Sequence, residues 1–325
     1  MATIFYHLII NAAAYTRNPD KNVSDLLEAF DRHNCQYQTY FTEYPYHERN
    51  IVIDLMEREL LRPWTEEDNK PFPLLVVVGG DGTLHEVING LNNPKIPVAF
   101  IPSDSKSDFA NAVNLSWKPN QIVEQLTAVK QPTNLTTIHY DEKVSHSKGV
   151  CLNNFGIGFD ADIDNYDHKI RQVKTHQFGL TRFFRRIILI FRDFIAKSGF
   201  PTTIDVKGKS ENFPRTFLCT VTNVPGLSGG KVKIAPNANA KDDELDLIVI
   251  ERQPWAQFLT IGFLLRHSKH FNSKFVHHYK DDDIRIISTV PQRAQFDGQV
   301  WHKQPYDMIL TTGKQLFWIP EIKKD

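Results

Sequence analysis

Cysteine is scarce in this chain, with three residues in 325. Cys35, Cys151 and Cys219 lie far apart and lack metal-site spacing, which argues against a disulfide scaffold or a zinc module. They suit a reducing compartment, where they serve as buried apolar fillers. No charge sign is in excess, since 38 Lys and Arg balance 38 Asp and Glu. That balance removes the global electrostatic case for a nucleic-acid partner. Uninterrupted apolar runs of the ~20 residues that span a bilayer are missing, as are repeats and low-complexity tracts. The opening MATIFYHLIINAAAYTR carries no basic leader before its apolar run and reads as a first strand rather than a signal peptide. The expected location is cytoplasmic, with any membrane contact peripheral and at the inner face. A homodimer is left open.

What is present is ordinary globular composition, 41% hydrophobic and 23% charged, at a length that suits two domains. Strand and helix patterns alternate through the first third. Strands are expected at Ile4 to Ile10, Gln36 to Thr42, Leu74 to Val78 and Pro97 to Ile101. Helices are expected at Asn22 to Arg32, His47 to Leu61 and Thr83 to Leu91. This order predicts an α/β N-terminal domain with a doubly wound, mostly parallel sheet. Past Gln131 short strands dominate: Leu135 to Tyr140, Gly149 to Asn154, Thr202 to Val206, Arg215 to Asn223, Leu245 to Ile250, Ile284 to Ser288 and Met308 to Thr312. Helices near Phe178 to Lys197 and Trp255 to His267 interrupt them. A mainly antiparallel, β-sandwich-like second domain follows. The expected boundary divides residues 1–131 from 132–325, with the tail free to return to the first domain.

Gly79-Gly80-Asp81-Gly82-Thr83 stands directly between the Leu74–Val78 strand and a helix. Glycines there let backbone N–H groups approach phosphate oxygens, and a helix N-terminus favours negative charge. Leu84, Val87, Ile88 and Leu91 form one apolar stripe of that helix. A carboxylate beside phosphates is repulsive unless it holds Mg²⁺, orients a donor or takes a proton, so Asp81 is the informative residue. A plain strand-to-helix turn capped by Asp81 fits the same five residues.

The run Gly79 to Gly90, GGDGTLHEVING, resembles the nucleotide-binding signature of the diacylglycerol kinase, sphingosine kinase and NAD kinase superfamily. Asn154 to Ala161, Gly229-Gly230, Pro236-Asn237-Ala238 with Asp242, Leu245 and Asp246, and Asp297-Gly298-Gln299 are similar to the bacterial lipid-kinase branch. The resemblance implies an NAD-kinase-like first domain, a nucleotide cleft between the domains, and ATP- and Mg²⁺-dependent phosphoryl transfer to a lipid hydroxyl, diacylglycerol or a related alcohol. It implies nucleotide contacts from Asn11, Thr42, the Gly79–Glu86 loop (Gly79, Gly80, Asp81, Gly82, Thr83 and Glu86) and Ser105. It further implies a structural Mg²⁺ at Asn239, Asp242 and Glu244, a segment that also reads as a solvated acidic turn. Asn11 and Thr42 also fit as ordinary turn residues.

Three loops depart from the family pattern. Asn11 to Tyr15 reads NAAAY where Asn-Pro-x-Ser-Gly is usual. Asp104 to Ala110 reads DSKSDFA where Gly-Thr-x-Asn-Asp-Phe-Ala is usual, which places Asp104 where bare backbone approaches nucleotide. Gln299 replaces the family's proton-accepting glutamate, and an amide is no general base. Asp297 is left as the candidate base or metal-linked carboxylate. A degenerate member that binds lipid or nucleotide without turnover is the alternative, as is a kinase of a soluble acceptor. The Phe178–Lys197 segment, FGLTRFFRRIILIFRDFIAK, suits either an amphipathic shelter for an acyl chain or a buried packing helix with snorkelling arginines.

Overall fold

The computed structural model describes residues 3–15, 18–65, 70–159, 198–226 and 232–320. Its first third holds β1 (Ile4–Ile10), α1 (Pro19–Arg32), β2 (Gln36–Phe41), α2 (His47–Glu57), β3 (Phe72–Gly79), α3 (Asp81–Leu91), β4 (Val98–Pro102), α4 (Asp108–Ala112) and α5 (Pro119–Ala128). β1 pairs in parallel with β2 and β3, and β3 with β4, in the order β2–β1–β3–β4. Leu74 to Val78 are fully buried, as an inner parallel strand requires. α2 stops at Glu57 instead of reaching Leu61. Glu59 turns left-handed at φ +55°, and Leu60 N–H donates back to the Leu55 carbonyl at 2.9 Å, which closes the helix end.

The remainder is β5 (Thr133–Glu142), β6 (Ser147–Cys151), β7 (Asn154–Gly158), β8 (Phe200–Val206), β9 (Lys209–Thr222), β10 (Leu245–Glu251), α6 (Trp255–Arg266), β11 (Val276–Asp281), β12 (Asp283–Gln292), β13 (Ala294–Phe296), β14 (Gln299–Val300) and β15 (Gln304–Phe317). These strands pair with one another antiparallel around a core that includes Phe155, Phe296, Tyr306 and Met308. β15 then runs back to the first sheet: Phe317 lies parallel to Val98, and the Trp318 indole N–H donates to the Leu126 carbonyl at 3.0 Å. The strand expected at Gly149 to Asn154 is two strands, β6 and β7, separated by a turn at Leu152 and Asn153. β11, β13 and β14 had no counterpart in the sequence pattern. No helix among the described residues is long and apolar enough to cross a membrane. Phe178–Lys197, Gly229-Gly230 and Asp160-Ala161 lie outside the described residues.

Candidate active site

Four strand ends meet at one edge of the parallel sheet, where such folds bind ligands. Asn11 N–H donates to the Val78 carbonyl (2.9 Å), Thr42 N–H to Ile10 (3.0 Å), and Ser103 N–H to Gly79 (2.8 Å). Asn11 Nδ2 also donates to Thr83 Oγ1 at 3.0 Å. This edge brings together Asn11, Thr42, Gly79–Thr83 and the loop carrying Ser105. The two leading glycines have different jobs. A Cβ on Gly79 would stand 2.7 Å from Thr83 Oγ1, so that glycine is required by packing. A Cβ on Gly80 would meet nothing within 4 Å, so Gly80 forms an open floor. Thr83 and Leu84 N–H groups both turn back to the Gly80 carbonyl (3.0 and 3.2 Å). Those of Asp81 and Gly82, at the positive end of α3, find no backbone partner among the described residues.

Asp81 orients donors. Its Oδ2 accepts from Asp108 N–H (2.8 Å), Asn153 Nδ2 (3.0 Å) and, at 3.4 Å, Phe109 N–H, while Ser107 Oγ donates a short bond to Oδ1. It therefore ties α3 to the start of α4 and to the β6–β7 turn. Burial pushes its pKa up to about 6 against these hydrogen bonds, with the nearby Asp297 charge raising it further. Asp104 accepts from Lys106 N–H at 2.8 Å and caps its own turn.

Asp297 does not fit the role of proton acceptor. Its carboxylate is fully enclosed and accepts from Leu152 N–H (2.8 Å), Asn153 N–H (2.7 Å), Asn154 N–H (3.2 Å) and the Cys151 thiol (3.2 Å). His85 Nδ1 lies 2.8 Å from Oδ2. Burial alone would raise the Asp297 pKa, but the His85 bond and charge and the Leu152 and Asn153 N–H groups bring it below the ordinary carboxylate value. A saturated carboxylate with a depressed pKa is a poor base and a good anchor.

His85 was missed by motif reading. The ionised Asp297 accepts the Nδ1 proton of the imidazole, so in the neutral ring Nε2 carries the lone pair. Nε2 engages no protein group among the described residues and is not sealed from solvent. His85 shares a face of α3 with Asp81, one turn away. The only sequence signal was a titratable residue lodged between the core positions Leu84 and Val87.

Gln299 Nε2 donates to Glu86 Oε1 at 3.0 Å, and Arg49 Nη1 approaches Glu86 Oε2 at 4.0 Å. Glu86 is buried, so its expected nucleotide contact is not open in this arrangement. Asn89 reads the Val150 backbone in both directions, donating to its carbonyl and accepting its N–H, each at 2.8 Å. That pair joins α3 to β6.

The residues expected to hold Mg²⁺ have other partners here. Lys280 Nζ sits 2.8 Å from Asp242 Oδ2, 3.6 Å from Glu244 Oε2 and 3.7 Å from Asp246 Oδ2. An ammonium already neutralises the carboxylates that would bind the ion, while Asn239 Oδ1 accepts from Lys241 N–H at 3.1 Å. These residues do not fit a structural divalent cation. No cluster of three or more His, Cys, Asp or Glu able to hold a metal occurs among the described residues.

Comparison with known proteins decides the family. Residues 6–138 match the model for the diacylglycerol kinase catalytic domain, and residues 156–314 match that for the YegS C-terminal NAD kinase beta sandwich-like domain. The chain belongs to the bacterial diacylglycerol kinase and lipid kinase family. YtlR of Bacillus subtilis (strain 168) is 25% identical to this lipid-kinase family member over 316 residues, 93% of this chain and 95% of YtlR. A B. subtilis protein named diacylglycerol kinase is 20% identical over 291 residues, 87% and 89% of the two chains. The crystal structure of a diacylglycerol kinase from Bacillus anthracis str. Sterne superposes with a TM-score of 0.65 at 18% identity, covering 97% and 96%. The last likeness establishes the fold: a parallel α/β domain followed by an antiparallel sandwich.

Proposed function

We propose that this protein transfers the γ-phosphoryl group of MgATP to the hydroxyl of a diacylglycerol-like lipid alcohol. The observation that carries the reading is the open floor at Gly80, beneath the N-terminus of α3 and one helical turn from a His85–Asp297 pair. Backbone N–H groups of Asp81 and Gly82 hold phosphate oxygens, and the helix dipole favours their charge. Asn11, through Thr83, fixes the loop from the β1 side. Asp81 locks the neighbouring Ser107–Phe109 segment at the start of α4. The acceptor oxygen attacks the γ-phosphorus as the bridging bond to ADP breaks. Its proton passes to His85 Nε2, and Asp297 stabilises the imidazolium. Phosphoryl transfer depends mainly on positioning and charge neutralisation, so replacement of the family glutamate by Gln299 is tolerated. The lipid acceptor follows from the relatives, one of which is named diacylglycerol kinase.

Gly80→Ala tests the nucleotide half. Gly80 has φ −93° and ψ 176°, which any residue adopts, and its Cβ would meet no protein atom. The fold is therefore unaffected, while the methyl group enters the space given to phosphate. Calorimetry should show MgATP binding to the wild type, weakened about tenfold or more in Gly80→Ala, roughly one lost charge-assisted hydrogen bond. Equal affinities would remove the phosphates from this loop.

A further inference from the structure

We infer that α6 is a membrane-docking element, whose outer apolar stripe enters the interface of an anionic bilayer. The inference deepens the lipid-kinase reading, and the acceptor arm of its test rests on that reading.

α6 covers WAQFLTIGFLLR and is mostly apolar, with Gln257, Thr260 and Arg266 its polar residues. Such a helix is normally buried. Its inner face is: Ile261 is 3% exposed and packs with Phe217, Ile248 and Ile250, and Leu265 leans on the same cluster. The outer face is the opposite. Trp255, Leu259 and Phe263, spaced i, i+4 and i+8, are 62%, 60% and 64% exposed. Three large apolar side chains in one line on a helix are not scattered surface residues; they form a patch that marks an interaction site.

Charge identifies the occupant. From Arg252 to Lys280 there is no Asp or Glu, while Arg252, Arg266, Lys269, Lys274 and Lys280 are basic, in a chain whose net charge is zero. Lys280 serves the acidic cluster of β10, but Arg266, Lys269 and Lys274 are exposed. Arg266 follows Phe263 by three residues, on the same side of the helix as the stripe. Apolar bulk with a tryptophan, bordered by exposed cations, matches an anionic lipid surface. Twelve residues make a helix about 18 Å long, short of the ~30 Å hydrocarbon core, so α6 lies in the interface.

The test is co-sedimentation of the full chain with vesicles of phosphatidylcholine alone and of phosphatidylcholine mixed with phosphatidylglycerol. The mixed vesicles should be bound and the neutral ones only weakly. Leu259→Asp with Phe263→Asp should weaken binding about tenfold or more at unchanged melting temperature, because neither side chain packs inward. Arg266→Glu with Lys269→Glu should weaken it by at least about fivefold per residue and flatten its salt dependence. Phosphoryl transfer to a monomeric short-chain diacylglycerol should be unchanged in the apolar double variant, while transfer to vesicle-borne acceptor falls. If the wild type turns over neither acceptor, the kinase reading fails and vesicle binding still decides this inference. Unaltered vesicle binding by the double variant would overturn it. So would a wild-type dimer that the same substitutions dissociate, because a second copy would then own the stripe.

Discussion

Gln299 donates its amide to Glu86 across 3.0 Å, at a position where Glu86 is buried and its other oxygen is 4.0 Å from Arg49. The pair explains how an amide came to suit a place where the family uses a carboxylate. Two carboxylates at that spacing repel, and one of them must hold a proton.

Gln299→Glu should therefore destabilise the protein by about 1.5–3 kcal/mol at neutral pH, the value of the lost bond to a charged group. One folded-state carboxyl pKa is raised in the variant, so the loss is present above that pKa and fades as pH falls below it. Denaturant midpoints across the acidic range should converge with the wild type. A midpoint difference independent of pH would contradict the pairing.

His85 carries a separate expectation. His85→Asn should lower kcat by about 10²–10⁴, the usual range for a general base, with MgATP affinity retained. In that background Gln299→Glu should recover part of the rate. If His85→Asn turns over at the wild-type rate, the residue only packs.

For Asp81 the sign follows from a folded pKa of about 6 against an ordinary carboxylate value of about 3.9. The folded state holds the proton more tightly, so the Asp81 contribution to stability is lost as pH rises from about 4 to about 6. Asp81→Asn lacks that titration. The stability gap between wild type and variant should shift in favour of the variant over this window, by denaturant unfolding at stepped pH. A shift in the other direction would mean that Asp81 is held ionised.

Most of the architecture was legible in the sequence, because parallel β-strands and amphipathic helices declare themselves by period. β1 matched its expected span, Ile4–Ile10, and α3 was extended only by its capping turn. The site was legible as far as local chain could carry it: the Gly79–Thr83 loop, with Asn11 beside it. What escaped depends on partners distant in sequence. Asp297 is saturated by Leu152–Asn154, more than 140 residues away, and the turn that presents those N–H groups is what splits the expected Gly149–Asn154 strand. Lys280 enters the Asp242–Asp246 cluster because β11 pairs with β10, setting Asp246 opposite Lys280. The exposure of the α6 outer face could not be read either, since a helix so rich in apolar residues looks buried in sequence.

Lys280 makes a testable substitute for a metal. EDTA and Mg²⁺ should leave the melting temperature unchanged, because the carboxylates already hold a cation. Lys280→Met should cost about 1–3 kcal/mol, and Mg²⁺ should then restore part of the loss. Strong stabilisation of the wild type by Mg²⁺ alone, without nucleotide, would reinstate the ion at Asp242.

The central claim is phosphoryl transfer itself, and labelled γ-phosphate measures it. With MgATP and diacylglycerol in mixed micelles, the wild type should form labelled phosphatidic acid, and Gly80→Ala and His85→Asn should each depress the yield. Tight MgATP binding with no label in any lipid alcohol supplied, and none gained by Gln299→Glu, would contradict the account and leave a nucleotide-binding protein without turnover.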